Sequence, residues 1–250
     1  MSILTLSQTE FAAEYARILT ENGLTEFTAD AFAEKFYRLT EFLLEKNAVM
    51  NLTAITSPSE IILKHYADSL AAAKYIQRGK TLADVGCGAG FPSLPLAIAR
   101  PDLHILALDA TSKKINFVRA AAERLSLSNL SAVVGRAEDF GAGMLRGKYD
   151  YVTARAVARL NILCECCIPL LKIDGVFLTM KAKTGAEELI EAKNAIAALR
   201  AKILFSTEFS LTDTKSPEPP LCRMIAGIEK CGETEKIYPR NYAQIKKKPL

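Results

Sequence analysis

The chain has 250 residues, of which half are apolar and 24% are charged, and its formal net charge at pH 7 is +4. This balance predicts a globular protein with a sizeable apolar core and excludes a disordered or collagenous chain. The first residues lack the basic head and apolar stretch of a signal peptide, and no run of about 18 apolar residues occurs. We therefore expect a cytoplasmic protein without a membrane span.

Three of the six cysteines, Cys164, Cys166 and Cys167, crowd into the apolar segment LNILCECCIPLL. Structural zinc sites use two spaced pairs of ligands, and the sequence offers no second Cys or His pair. A free Cys behaves as a small apolar side chain. The pattern therefore predicts buried cysteines on a helix and no metal site.

The net charge is concentrated at the C-terminal end. Residues 230–250 contain six Lys or Arg against two Glu, so the first 229 residues are formally neutral. Neutralising phosphates releases condensed counterions, so a basic tail favours nucleic-acid binding at low salt. Two interpretations stay open, namely a phosphate-contacting element and a solvated, partly disordered end.

Residues 1–79 show helical periodicity and no convincing strand, which predicts a helical extension. We expect Asp30 to cap one of its helices, and Pro58 to begin another after a Thr- and Ser-rich break. The apolar residues at helical spacing after Asp30 are Phe32, Phe36, Leu39, Leu43 and Leu44.

Residues 80–229 change to short apolar runs. The seven runs are TLADVG, HILALD, SAVVG, YDYVTA, GVFLTM, ILFSTEFSL and LCRMIAGI. Helical segments separate the first five, which predicts a doubly wound, mostly parallel α/β sheet of Rossmann-like type. A loop, DTKSPEPP, separates the last two, which we expect to pair antiparallel. Residues 230–250 would then form the basic tail.

A glycine-rich turn follows the first strand, where Asp84, Gly86, Gly88 and Gly90 form D-x-G-x-G-x-G. Glycines let the backbone pass close to a ligand, and open α/β sheets bind ligands at this edge. A dinucleotide fingerprint needs a third glycine where this chain has Phe91. The turn instead resembles the first motif of S-adenosylmethionine methyltransferases.

Further acidic residues follow the next two strands. Asp109 ends the second strand, where a carboxylate accepts hydrogen bonds from both ribose hydroxyls. Ala137 and Glu138 follow the third strand, where methyltransferases of this class hold the adenine edge. Each acidic residue taken alone could equally be a helix cap or a solvated loop residue with no ligand. Together they predict S-adenosylmethionine as the cofactor.

Motifs along nearly the whole chain carry a closer resemblance. EKNAVMNLTAI, KHYADSL, DVGCGAGFPSLPLAI, VGRAEDF, TARAVARL and YPR…KKKPL occur in the order typical of one family. The chain resembles the small-subunit rRNA guanine-N7 methyltransferases, the glucose-inhibited division protein B family. The resemblance implies that the substrate is one guanine of 16S rRNA. It also implies cofactor contacts at Gly86, Phe91, Ala137, Glu138 and Arg155.

The chain departs from the family pattern at three places. Ser93 stands where the family usually has Gly, and Lys46 where a Trp often precedes the first Asn. The closing NYAQIKKKPL lacks the usual Gly and second Pro. The first two changes leave the expected cofactor contacts in place, whereas the third bears on RNA contacts of the tail.

The predicted chemistry needs no obligatory catalytic side chain. Guanine N7 carries a lone pair and no proton, so methyl transfer is a direct displacement governed by positioning. The chain has neither the N-P-P-[YF] element of amine methylation nor a Pro-Cys nucleophile. Alternatives are a small-molecule methyltransferase, a non-enzymatic RNA-binding protein with a vestigial cofactor fold and, last, a nicotinamide oxidoreductase.

Basic residues near the strand ends and in the tail are predicted to contact the small ribosomal subunit. These are Arg136, Arg159, Lys181, Arg240, Lys246, Lys247 and Lys248. Lys113, Lys114 and Lys183 also follow strand ends and could surround the cofactor cleft. His65 and Asp68 share a helical face, and we expect a structural rather than a catalytic role for them. Nothing in the sequence demands a partner chain, so we expect a monomer.

Overall fold

The computed structural model describes residues 4–250. Helices occupy the N-terminal part, as the periodicity predicts. They are α1 (Gln8–Glu21), α2 (Asp30–Met50), α3 (Pro58–Ile61) and α4 (Asp68–Leu70), with a π-helical segment, Ile62–Ala67, between the last two. The predicted start at Pro58 is confirmed. The Asp30 cap is wrong, because Ala29 is the N-cap and Asp30 begins the helix, where its charge favours the helix dipole.

Asn47 shapes the turn that follows α2. Its Oδ1 accepts the backbone N–H groups of Leu52 and Thr53 at 2.6 and 2.9 Å. Asn51 takes the left-handed conformation there, with φ of 51°, which Asn tolerates better than most residues. The segment NAVMNLT, residues 47–53, therefore ends α2 and turns the chain toward α3.

Seven strands form one sheet in the order β3-β2-β1-β4-β5-β7-β6. Their bounds are β1 Thr81–Val85, β2 His104–Asp109, β3 Leu130–Val134, β4 Tyr149–Arg155, β5 Leu171–Lys181, β6 Ala201–Leu211 and β7 Leu221–Lys230. The first five strands are parallel, and β7 runs antiparallel to both β5 and β6. The doubly wound, mostly parallel sheet and its antiparallel end are confirmed.

Helices pack on both faces of the sheet. They are α5 (Ser93–Ala99), α6 (Ser112–Arg124), α7 (Ala137–Ala142), α8 (Leu160–Cys167), α9 (Gly185–Glu191), α10 (Lys193–Ala198) and α11 (Tyr242–Lys247). The clustered Cys164, Cys166 and Cys167 are buried on α8 as predicted. No helix among residues 4–250 is both long enough and apolar enough to span a membrane.

The C-terminal segment packs on this core. Glu165, which has no exposed surface, accepts the Nε, Nη2 and backbone N–H groups of Arg240 at 2.8, 2.6 and 2.8 Å. Ile245 on α11 is fully buried, and Arg146 donates to the carbonyls of Thr234 and Tyr238. The segment is therefore anchored to the core at Arg240 and Ile245, while Lys246, Lys247 and Lys248 stay exposed.

One stacked pair of rings joins the N-terminal helices to the turn after β1. The His65 imidazole lies parallel to the Phe91 ring, with centroids 4.3 Å apart and planes within 4°. Burial, aided by the nearby charge of Arg155, lowers the pKa of His65 to about 3. His65 is therefore neutral in the folded protein at neutral pH.

The substitution Arg240→Ala is expected to lower the free energy of unfolding by about 3–5 kcal/mol, because it leaves the buried Glu165 carboxylate without its partner. Urea denaturation measures this change. The control is Lys215→Ala, since Lys215 is 66% exposed and its pair with Glu14 is worth at most about 1 kcal/mol. A loss at Arg240 no larger than the control would contradict the anchoring role.

His65 is expected to make stability pH-dependent. The unfolded chain binds a proton at this imidazole near pH 6.5, whereas the folded chain binds one only near pH 3. The free energy of unfolding therefore falls as the pH falls through this window, by about 1.4 kcal/mol per pH unit for one proton.

We expect the free energy of unfolding, measured at about pH 6 and about pH 5, to fall less steeply with falling pH in His65→Gln than in the wild type. The difference in slope should correspond to the uptake of about one proton on unfolding. The matched control is His104→Gln, since His104 is the other histidine and is exposed. Equal pH slopes for wild type and His65→Gln would rule out a depressed His65 pKa.

Candidate functional site

The glycine-rich turn lies at the carboxyl end of β1. Gly86, Gly88 and Gly90 all have positive φ, of 69°, 58° and 85°. A Cβ atom on Gly86 would lie 2.5 Å from Cγ2 of Val157, and one on Gly90 would lie 2.5 Å from Cδ1 of Leu94. Gly86 is therefore needed for a close approach to the chain after β4, and Gly90 for the packing of α5.

Asp84 supports this turn from beneath. Its carboxylate has no exposed surface, and it accepts the N–H and O–H of Ser93 at 3.0 and 2.7 Å and the hydroxyl of Thr153 at 3.2 Å. Burial raises the pKa of Asp84 to about 6, and the bonds from Ser93 and Thr153 only partly oppose this effect. Asp84 thus links β1 to α5 and β4.

A cleft of about 200 Å³, here called the glycine cleft, opens beside the turn at the ends of β1, β2 and β3. Gly86, Asp109, Ala137 and Glu138 line it. Asp109 accepts the backbone N–H groups of Gly88 and Thr111 at 3.0 and 2.8 Å, one on each oxygen. Each oxygen retains a second lone-pair direction for another donor.

Glu138 has an unusual environment. It is 6% exposed, and its Oε1 has no hydrogen-bond partner among residues 4–250; the nearest cationic atom, Nη1 of Arg136, is 3.6 Å away. Burial raises the pKa of this carboxyl, the Arg136 charge being a smaller, opposing influence. A buried acceptor without a donor is costly, so it marks a position suited to a bound N–H or O–H group.

A second cavity, here called the basic cavity, has a volume of about 610 Å³ and meets the glycine cleft at Val157 and Ala158. Five of the side chains that line it are cationic. They are Lys64, Arg155, Arg159, Lys181 and Arg223. Asp68 and Glu188 are its two acidic side chains.

Asp68 orients two of the arginines in the basic cavity. Its Oδ2 accepts Nη1 of Arg155 at 2.7 Å, and its Oδ1 accepts Nε of Arg223 at 3.0 Å. The Arg155 Nη2 lies 3.3 Å from Nδ1 of His65, and because Arg is only a donor, this ring nitrogen is the acceptor. The neutral ring then donates Nε2–H to the Thr53 hydroxyl at 3.0 Å. Asp68 and His65 thus both bond to Arg155, and the structural role predicted for them stays a prediction.

The wall between the two cavities is the chain of residues 156–159. Ala156 takes a left-handed conformation there, with φ of 56°. Lys181 fixes this wall, since its Nζ donates to the Ala158 carbonyl at 2.6 Å and pairs with Glu188 at 2.8 Å. Glu188 in turn accepts the backbone N–H of Leu160.

The structure separates the nine predicted cofactor residues into two groups. Gly86, Asp109, Ala137 and Glu138 line the glycine cleft. The other five do not line it. These are Asp84, Gly88 and Gly90, which build the turn, Phe91, which stacks on His65, and Arg155, which lines the basic cavity.

Two of the residues predicted to contact RNA are engaged by buried or partly buried carboxylates of the protein. Arg240 is directed inward onto Glu165, and Lys181 is 9% exposed and neutralised by Glu188, so neither offers a free charge. Arg136 remains 55% exposed, and Arg159 is exposed while paired with Glu191. Lys246, Lys247 and Lys248 are exposed at the end of α11.

Sequence reasoning missed two residues that the structure brings to the site. Tyr242 on α11 lines the glycine cleft, and the Arg136 guanidinium lies 5.6 Å from its ring centroid. Arg223 on β7 lines the basic cavity. Both come from the C-terminal third, and no motif spacing links them to the turn after β1.

Solved structures with a similar fold include a protein in complex with AdoMet and a methyltransferase in complex with SAH. The protein TYW2 of M. jannaschii, in complex with AdoMet, matches with a TM-score of 0.53 and 17% identity over 65% of this chain and 74% of that one. An O-methyltransferase from Bacillus cereus, in complex with SAH, matches with a TM-score of 0.52 and 17% identity over 77% of this chain and 91% of that one. At these identities the likeness concerns the fold alone.

Closer relatives match nearly the whole sequence. Ribosomal RNA small subunit methyltransferase G of Lactococcus lactis subsp. lactis (strain IL1403) is 43% identical over 236 residues, 92% of this chain and 97% of that protein. The protein of the same name from Lachnoclostridium phytofermentans is 44% identical over 220 residues, 87% of this chain and 89% of that protein. The model of the family rRNA small subunit methyltransferase G matches residues 32–216. The chain therefore belongs to the rRNA small subunit methyltransferase G family.

Proposed function

We propose that this protein transfers a methyl group from S-adenosylmethionine to N7 of a guanine in 16S rRNA. The observation that carries the proposal is the junction of the two cavities at Val157 and Ala158. A narrow acid-bearing cleft and a wider cavity rich in Arg and Lys meet at the carboxyl end of a parallel sheet. Ligands bind at this edge in open α/β folds, and the cations suit a phosphate-bearing acceptor.

The residues of the glycine cleft fit the adenosine part of this cofactor. Asp109 has spare lone pairs for the ribose hydroxyls, and the unpaired Oε1 of Glu138 suits an N–H or O–H donor of the nucleoside. The turn at Gly86 allows close approach, and the Tyr242 ring offers an apolar wall. When bound, S-adenosylmethionine supplies an electrophilic methyl group on a sulfonium.

The side chains of the basic cavity suit an acceptor that needs no deprotonation. Both oxygens of Asp68 accept from arginines, and Glu188 is paired with Lys181. Both ring nitrogens of His65 are engaged, by Arg155 and Thr53. Guanine N7 has a free lone pair, so these residues need only position it in line with the methyl group.

Exposed cations around the two cavities would position the RNA backbone. We assign this role to Arg136, Arg159, Lys246, Lys247 and Lys248, which keep their charged ends in solvent. We further propose that the protein works in the cytoplasm as a monomer on the small ribosomal subunit, with no metal ion.

Methyl transfer from labelled S-adenosylmethionine to 16S rRNA and to small subunits lacking the modification tests the proposal. Digestion and mass analysis should identify the product as 7-methylguanosine. Labelled RNA with the methyl group at another atom would refute the N7 assignment. Cofactor binding with no labelled RNA, together with label on a free small acceptor, would favour a small-molecule methyltransferase.

Glu138→Ala is expected to weaken S-adenosylmethionine binding by about 10- to 100-fold, the range for a lost hydrogen bond to a charged group. Calorimetry gives the affinity. The matched control is Asp139→Ala, because Asp139 is the adjacent acid and is exposed. The free energy of unfolding without cofactor should change little, because Oε1 of Glu138 accepts no hydrogen bond and its ion-pair partner, Arg136, is 55% exposed. Unchanged affinity would exclude Glu138 from the cofactor site.

Simultaneous replacement of Lys246, Lys247 and Lys248 by Gln should weaken RNA binding. It should also reduce the slope of log K against log salt concentration by the equivalent of about three charges at most. The dependence of log K on log salt concentration for an rRNA fragment is the measurement. Substitution is preferable to truncation, because Arg240 and Ile245 anchor the same segment to the core. An unaltered slope would place the phosphate contacts elsewhere.

A further inference from the structure

A third cavity adjoins the basic cavity near the end of β6 and the start of β7. The basic cavity shares part of its wall with this cavity of about 280 Å³, here called the distal cavity. The shared residues are Ala182, Phe209, Arg223 and Met224. Since Val157 and Ala158 line both the basic cavity and the glycine cleft, the three spaces adjoin in a row, here called the path. The path extends beyond the place proposed for the methylated base.

Phe209 and Arg223 stand side by side on this path. They are direct partners across the antiparallel pair β6 and β7, so their side chains are on the same face. The bond from Arg223 to Asp68 fixes the guanidinium, and Phe209 is only partly buried against the apolar cluster that contains Ile225. An aromatic ring beside a fixed guanidinium is a surface on which unpaired nucleotide bases stack.

The distal cavity also carries a cation suited to a backbone phosphate. Lys183 lines it, is exposed, and has no ion-pair partner among residues 4–250. Glu208, also exposed, is the acidic side chain on this wall. The arrangement places a stacking surface next to a free ammonium group, which are the two contacts that a single-stranded nucleotide uses.

We propose that Phe209 and Arg223 form a subsite for an unpaired RNA nucleotide that flanks the methylated guanine. The base of that nucleotide stacks on Phe209, and Lys183 contacts its phosphate. This subsite rests on the proposed function, since a small acceptor would not reach it. It gives the enzyme a preference for a single-stranded segment over an isolated guanine.

Steady-state methylation of an rRNA fragment by Phe209→Leu tests the subsite, because Leu keeps an apolar side chain but removes the ring. KM for the RNA should rise about 10-fold, with kcat, the affinity for S-adenosylmethionine and the salt slope of binding unchanged. Phe209→Tyr, which keeps an aromatic ring, should leave KM for the RNA at the wild-type value. Lys183→Gln should instead reduce the salt slope by about one charge.

The matched control is Phe205→Leu. Phe205 lies on the same strand, but its ring stacks on Tyr75 and lines a different cavity. Thermal unfolding of both variants shows whether each is folded. If KM for the RNA rises equally in both variants, or in neither, the subsite is refuted while methylation by the wild type upholds the proposed function.

Direct binding of a fluorescent single-stranded oligonucleotide separates the two ideas. If the wild type fails to methylate RNA, the proposed function fails. Weaker oligonucleotide binding by Phe209→Leu alone would then still support a stacking subsite, and unchanged binding would refute it.

Discussion

A single buried carboxylate ties together the elements on which the site depends. Asp84 lies near the carboxyl end of β1 and accepts hydrogen bonds from Ser93 on α5 and Thr153 on β4. The turn through Gly86 and Gly90 is therefore held at both of its ends. Ser93 stands where the resembling family usually has Gly, and its hydroxyl adds the shortest of these bonds. Because desolvation still raises the Asp84 pKa to about 6, the hydrogen bonds only partly offset the cost of burial.

The sheet could be predicted because strands covered on both faces read as continuous apolar runs, and crossover helices separate them in the sequence. The residues of the glycine cleft that follow β1, β2 and β3 could be predicted for the same reason. The contributions of Tyr242 and Arg223 could not, because they depend on how distant segments pack. The partners of Lys181 and Arg240 were equally hidden, since a sequence shows a cation but not the Glu that neutralises it.

The charge of the basic cavity follows from an imbalance of partners. One carboxylate, Asp68, serves both Arg155 and Arg223, and His65 adds no charge because its pKa is depressed. The cavity therefore keeps an excess of positive charge close to low-dielectric walls, where attraction for an anion is stronger than on an open surface. The same bonds orient both guanidinium groups before any ligand arrives. Pre-organisation of this kind lowers the entropic cost of binding.

The wall at residues 156–159 connects the two halves of the site physically. Val157 lies over Gly86 on one side and borders the basic cavity on the other. Lys181 holds the Ala158 carbonyl, so the wall is braced from β5 rather than from the turn that it covers. A ligand that presses on Val157 from the glycine cleft must therefore act against this brace. Since positioning alone drives the displacement, a rigid segment that borders both the donor and the acceptor side matters more than any proton-transfer group.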